Sequence, residues 1–184
     1  LWAQNYNPAI TACTPLVTCS NTECSTAGVC YALSSDKLGD GSGGVCASVC
    51  SGNKCYSSDF ICITPTQDNR SNNDGGACVA SCAGNTCYDS SFVCIVPTSV
   101  NLSNNDQNAC VATCSGNKCY DSSFVCITPT TTDLSNNDGG VCVSTCAGNK
   151  CYSSDNVCIT PTQANRSNND GGACVASCAG NTCY

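Results

Sequence analysis

The chain has no histidine, no methionine, one tryptophan and, at Glu23, a single glutamate. Without histidine it lacks the side chain that most often serves as general base and as metal ligand near neutral pH. No serine or cysteine stands in a recognisable motif with a base, so the sequence predicts a protein that is not an enzyme. Aromatic residues make up only 6% of the chain, and much of the 41% hydrophobic fraction is cysteine, alanine and valine. So few bulky side chains bury too little apolar surface to offset the conformational entropy lost on folding. Charge is scarce as well, at 10% of residues with a net −7. An acidic chain of this kind argues against nucleic acid or an anionic membrane as partner, since both select basic surfaces. No apolar run approaches the length of a membrane-spanning helix.

What is abundant is cysteine, with 23 in 184 residues. That density marks a disulfide scaffold, and disulfides persist in oxidising compartments, so the expected location is secreted, extracellular or on the cell surface. No C-x2-C or C-x-C pair occurs, which removes the usual zinc knuckle, and neither metal nor cofactor is expected. Covalent staples then replace the missing core. A bridge closing about 15 residues contributes roughly 3 kcal/mol in the loop-entropy description.

The cysteines are periodic. They fall at Cys46, Cys50, Cys55 and Cys62, then at Cys78, Cys82, Cys87 and Cys94. They recur at Cys110, Cys114, Cys119 and Cys126, and at Cys142, Cys146, Cys151 and Cys158, while Cys174, Cys178 and Cys183 begin a further set. The pattern is C-x3-C-x4-C-x6-C-x15 with a period of 32 residues. Counted this way, the chain divides into an N-terminal arm at 1–12 and a divergent first unit at 13–45. Repeats follow at 46–77, 78–109, 110–141 and 142–173, then a truncated one at 174–184. The arm reads either as a leader or as an extended segment that docks on a neighbour. Leu1-Trp2-Ala3 fits the tail of a cleaved signal peptide. The break within a unit at Tyr184 implies that the natural polypeptide continues. A longer period is superimposed: residues 171–184 repeat 75–88 without change, and 139–170 match 43–74 at 26 of 32 positions against 19 for 75–106. Units were copied in blocks of three.

Within residues 75–106, β-forming stretches flank Gly84-Asn85, a pair suited to a tight turn. The preferred reading is two short strands around that four-residue loop. The competing one is a short helix over Gly76–Ala83, with Asp74 as N-cap and Gly84 beyond its end. The expected fold is an elongated linear array of small disulfide-rich β/coil units with few or no helices. Four cysteines allow three connectivities. The nested one, Cys82–Cys87 inside Cys78–Cys94, suits the strand reading best, and bridges between adjacent units are the alternative. Ser103-Asn104-Asn105-Asp106 reads as the turn into the next unit.

Asn69, Asn101 and Asn165 open N-x-S triplets at one repeat position, and in a secreted chain they are N-glycosylation acceptors. The fourth unit has Asp133 there and should stay unmodified. Thr64, Thr66, Thr98, Thr128, Thr130, Thr160 and Thr162 flank the prolines at 65, 97, 129 and 161 and are candidates for O-glycosylation; alternatively each proline simply ends a strand. Asp74, Asp106, Asp138 and Asp170 read as turn residues rather than calcium ligands, because one carboxylate per unit falls short of a site. Tyr56, Tyr88, Tyr120, Tyr152 and Tyr184 follow a cysteine in register and read as packing over the bridges, with sugar stacking as the alternative.

With its periodic cysteines and Asn/Ser/Thr/Gly-rich spacers from Cys46 onward, the chain resembles cysteine-rich tandem-repeat surface and matrix glycoproteins, including surface antigens of ciliated protists. The resemblance implies surface display or matrix building. The function expected is therefore that of a structural glycoprotein that self-associates into a filament or coat. The alternative is a multivalent adhesin in which weak carbohydrate sites act together. Ice binding fits poorly with one Thr-Pro-Thr per 32 residues, and an inhibitor would call for a loop that varies between units.

Overall fold

In the computed structural model, residues 17–178 are described. The arm at 1–12, Cys13, Cys183 and Tyr184 lie outside them. Among the described residues there is no helix, and none is long and apolar enough to cross a membrane. The secondary structure is a row of minimal antiparallel hairpins. The first joins β1 (Glu23–Thr26) to β2 (Val29–Ala32). Four two-residue pairs follow: β3 (Cys55–Tyr56) with β4 (Cys62–Ile63), and β5 (Cys87–Tyr88) with β6 (Cys94–Ile95). The last two are β7 (Cys119–Tyr120) with β8 (Cys126–Ile127), and β9 (Cys151–Tyr152) with β10 (Cys158–Ile159).

The hairpin therefore lies one step later than the strand reading placed it. Gly84, at φ +59, does turn the chain, and Thr86 N–H donates to Ala83 O at 3.3 Å, but the segments on either side do not pair with each other. The strands form around Asp89–Val93 instead. Asp89 Oδ1 accepts from the N–H groups of Ser91 at 2.8 Å and Val93 at 3.1 Å. Phe92 N–H closes the turn on Asp89 O at 3.0 Å. A short polar side chain that captures nearby backbone donors sets the loop more firmly than glycine content alone.

The disulfides follow the hairpins. Ten bridges join described cysteines, and they alternate between two kinds. Cys82–Cys94 ties the turn before the hairpin to its second strand across 12 residues. Cys87–Cys110 ties the first strand to the end of the following connector across 23. The nested pairing of Cys82 with Cys87 and Cys78 with Cys94 does not form. The loops are interlaced, first to third and second to fourth, within 50–78, 82–110, 114–142 and 146–174. The covalently closed units thus start four residues later than the C-x3-C count. In this frame the first unit, with Cys19–Cys30 and Cys24–Cys46, is one residue shorter than the others.

Each hairpin after the first has a backbone partner on both edges. Tyr88 N–H donates to Asn108 O at 3.0 Å and Cys110 N–H to Tyr88 O at 2.9 Å, so the unit's own connector lines one edge. On the other edge the previous connector arrives: Ser71 N–H donates to Phe92 O at 3.1 Å and Cys94 N–H to Ser71 O at 2.7 Å. The same pairs recur at Ser103 with Val125 and Ser135 with Val157. Every unit after the first is thus completed by a strand from the unit before it.

Among the described residues the buried side chains form separate clusters rather than one shared core, as the side-chain inventory requires. Leu102, fully buried, packs on Cys114 and Cys126 of the next unit, with Val111, Tyr120 and Phe124 around it. Leu134 does the same with Cys146 and Cys158. The cysteines at 24, 55, 87, 119 and 151 are inaccessible to solvent, so bridges occupy the space that aliphatic side chains fill elsewhere. Among the described residues, every bridge and backbone ladder joins positions within one unit or in adjacent units. This is the nearest-neighbour coupling of a repeat array.

Candidate functional site

Three features converge near the start of three connectors: the asparagine of the N-x-S triplet, the tyrosine after the second bridge cysteine, and the residue that follows the asparagine. The asparagine closes a reciprocal turn. Thr66 N–H donates to Asn69 O at 2.8 Å and Asn69 N–H to Thr66 O at 3.1 Å, with equivalents at Thr98 and Asn101. Its main chain is thereby used, and the side chain is what remains to face outward. Asn69 and Asn165 are exposed, and Asn101 is half-buried. Thr64, Thr66, Thr98, Thr128, Thr130, Thr160 and Thr162 are all exposed, whereas Pro65, Pro97 and Pro129 are buried at the ends of the hairpins.

The third residue of each triplet has the opposite fate. Ser71, Ser103 and Ser167 are completely buried. Their Oγ atoms accept from the N–H of Asn73, Asn105 and Asn169 at 3.0, 3.1 and 3.0 Å. Those asparagines take left-handed φ values of 61°, 59° and 61°, the geometry their residue type tolerates best after glycine. The aspartates that follow are turn residues, as the sequence suggests: Asp74 Oδ1 accepts from Gly76 N–H at 2.8 Å, and Asp138 and Asp170 repeat this at 2.9 Å. In the first unit, hydrogen bonds from the Ser42 hydroxyl and N–H hold the Asp40 carboxyl below its ordinary pKa. Among the described residues no three acidic or cysteine side chains gather into a metal cage.

The middle residue is what the sequence reading missed. Positions 38, 70, 102, 134 and 166 hold Leu, Arg, Leu, Leu and Arg. Each pairs antiparallel with a residue nine positions later, so the arginines occupy leucine sites. Arg70 is only 7% exposed. Its Nη1 donates to Ala80 O at 2.7 Å and to Gln107 O at 3.4 Å, while Nε is buried without a partner. The guanidinium carbon lies 4.3 Å from the centre of the Tyr88 ring in the next unit. A leucine-to-arginine change at one register was the available signal.

The tyrosines are part of the packing. Tyr56, Tyr88 and Tyr120 lie 6.0, 5.8 and 6.1 Å from Phe60, Phe92 and Phe124 between ring centres. Tyr88, under Arg70, is buried, and Tyr56, Tyr120 and Tyr152 stay half-buried. Beside Tyr56 an open cleft of about 530 Å³ runs past Ser57, Phe60 and Ala77 to Asn69. A second, of about 600 Å³, runs from Tyr152 past Ser153, Asn156 and Ala173 to Asn165. No family model, curated protein or solved structure matches the chain.

Proposed function

We propose that the chain is a structural extracellular glycoprotein that assembles into a filament or coat and has no catalysis of its own. The observation that carries this reading is the strand each unit receives from the one before it, as Ser71 pairs with Val93 and Ser103 with Val125. Repetition of that joint presents one surface at regular intervals, which lets identical chains register side by side or end to end. Ten bridges among the described cysteines favour an oxidising, extracellular setting.

In the same reading, Asn69, Asn101 and Asn165 carry N-linked glycans. A lipid-diphosphate oligosaccharide is the donor. The sugar C1–N bond to Asn Nδ2 forms, the C1–O bond to the diphosphate breaks, and the amide loses one proton. Burial of Ser71, Ser103 and Ser167 requires this transfer before the units close, since the folded chain hides the hydroxyl that an acceptor triplet presents. The exposed threonines beside the prolines are the places for O-linked sugar.

Electron microscopy of the purified, oxidised protein without any added ligand tests the assembly. Fibres of uniform width or ordered sheets are expected. Protein that stays a monomer in sedimentation up to the highest soluble concentration overturns the filament reading.

A further inference from the structure

The two clefts are one feature, repeated. Their lining residues correspond one for one at an offset of 96, from Tyr56 and Tyr152 to Ala80 and Ala176, and seven of the nine positions are identical. Both contain the asparagine of an Asn-Arg-Ser triplet in the wall. We propose that each cleft seats the first N-acetylglucosamine of the chain's own glycan on Asn69 and Asn165. The sugar folds back over Tyr56 or Tyr152 rather than projecting freely into solvent. The proposal rests on the reading of these asparagines as glycan acceptors.

The chemistry of the lining fits that occupant. A pyranose ring has a face of C–H bonds, and tyrosine offers it an aromatic surface with an apolar body. Ser57 and Ser58, or Ser153 and Ser154, bring hydroxyls that both donate and accept, which suits sugar hydroxyls and the acetamido group. The volumes lie within the range of small-ligand sites. The tether is one side chain long, so the sugar meets its seat at a high effective concentration and needs little intrinsic affinity.

The rest of the array supplies a comparison. The third acceptor, Asn101, stands in the unit whose tyrosine is Tyr88, and that ring is 9% exposed beneath Arg70. Asn101 is itself half-buried. Beside Tyr120 the acceptor position holds Asp133. The two clefts therefore occur where an exposed acceptor accompanies a tyrosine that Arg70 does not cover. Arg70 belongs to the triplet of Asn69, yet it reaches the next unit's ring instead of the cleft of its own asparagine.

The test uses the full chain secreted from a eukaryotic host with its disulfides intact. Mass spectrometry of the glycopeptides first establishes which asparagines carry sugar. An endoglycosidase then trims each glycan to one N-acetylglucosamine, and NMR follows its acetamido methyl group. At Asn69 and Asn165 the methyl resonance should move upfield under a tyrosine ring, with cross-relaxation to the ring protons. The resonance at Asn101 should stay at the free-sugar position. Tyr56→Ala should abolish the upfield shift at Asn69 and leave Asn165 unaffected, while Tyr56→Phe retains both. Glycosylated Asn69 and Asn165 with free-sugar shifts and no contact to the rings overturn the proposal while the acceptor reading survives. Unmodified Asn69 and Asn165 overturn the acceptor reading, and the proposal goes with it.

Discussion

Cys87 is fully buried, and its bridge to Cys110, with 5.0 Å between Cα atoms, fastens a hairpin's first strand to the end of its own connector. The companion bridge, Cys82–Cys94, closes only 12 residues against 23. A non-reducing digest should yield peptides joined in this interlaced scheme, and a peptide pair linked through Cys82 and Cys87 would contradict it. Loop entropy assigns about 3.5 kcal/mol to the longer closure and about 3 to the shorter. Replacing Cys87 and Cys110 together by alanine should therefore lower the thermal midpoint more than replacing Cys82 and Cys94, as measured by calorimetry at one scan rate.

Leu102, fully buried, packs one unit against the Cys114–Cys126 bridge of the next. Leu102→Ala should cost about 2–5 kcal/mol, the range for a buried leucine. The loss should appear in both units. Hydrogen exchange should show faster amides at Val111 and also at Cys126, whose N–H donates to Ser103 O at 2.7 Å. Protection lost on one side alone would mean that the units are energetically independent.

Arg70 provides the converse experiment. A buried guanidinium with an unpaired Nε stands where Leu38, Leu102 and Leu134 fit fully buried. Exchanging buried charge for apolar volume is often neutral or stabilising. Arg70→Leu should leave stability unchanged or raise it by about 1 kcal/mol, and it should uncover Tyr88, visible in near-ultraviolet circular dichroism. A loss beyond about 2 kcal/mol would show that the stacking on Tyr88 outweighs the desolvation.

The 32-residue period, the absence of helices from the described residues and the Ser-Asn-Asn-Asp turns were all legible, because each depends on residue types with local and distinctive preferences. Asn73 in the left-handed region is one example. The pairing was legible only as the alternative: in the C-x3-C count Cys55–Cys78 and Cys87–Cys110 do join adjacent units, whereas the preferred nested scheme does not form. Gly84-Asn85 advertises a hairpin, whereas the true turn places Phe92 at φ +58, and aromatic residues rarely signal that conformation. Once the hairpin shifts, the bridges shift with it and the repeat frame moves by four residues. The N-x-S triplets could be read from the sequence, but the cleft beside two of their asparagines could not. Nor could the cover that Arg70 places over Tyr88, since that contact runs between units.

Gly75 has φ +67, and a Cβ there would sit 2.5 Å from Cys50 O and 2.9 Å from Cys50 N. Both atoms are backbone and have little room to yield. Gly75→Ala should cost about 1–3 kcal/mol, combining left-handed strain with the clash. The equivalent position in the next unit already holds Gln107 at φ +61. Gln107→Gly should therefore stabilise by about 1 kcal/mol, the opposite sign at the same register. Thermal unfolding of the two variants checks the pair, and equal signs would show that backbone conformation is not the deciding factor.

The remaining expectation concerns shape, on which the proposed function depends. Each unit is completed by a strand from its predecessor, and its buried side chains reach no further than the next unit. Contacts of that range give units no reason to fold back on one another, and the acidic surface, at net −7, opposes it. Small-angle scattering of the monomer should then give a radius of gyration well above the ~16 Å of a compact chain of this length. Raising the salt should change it little, because bridges and backbone pairs between neighbours hold the line and screened charges do not. A value near the compact limit would mean that distant units pack together. The same surface would then no longer recur at fixed intervals, and lateral registration of identical chains would lose its physical basis.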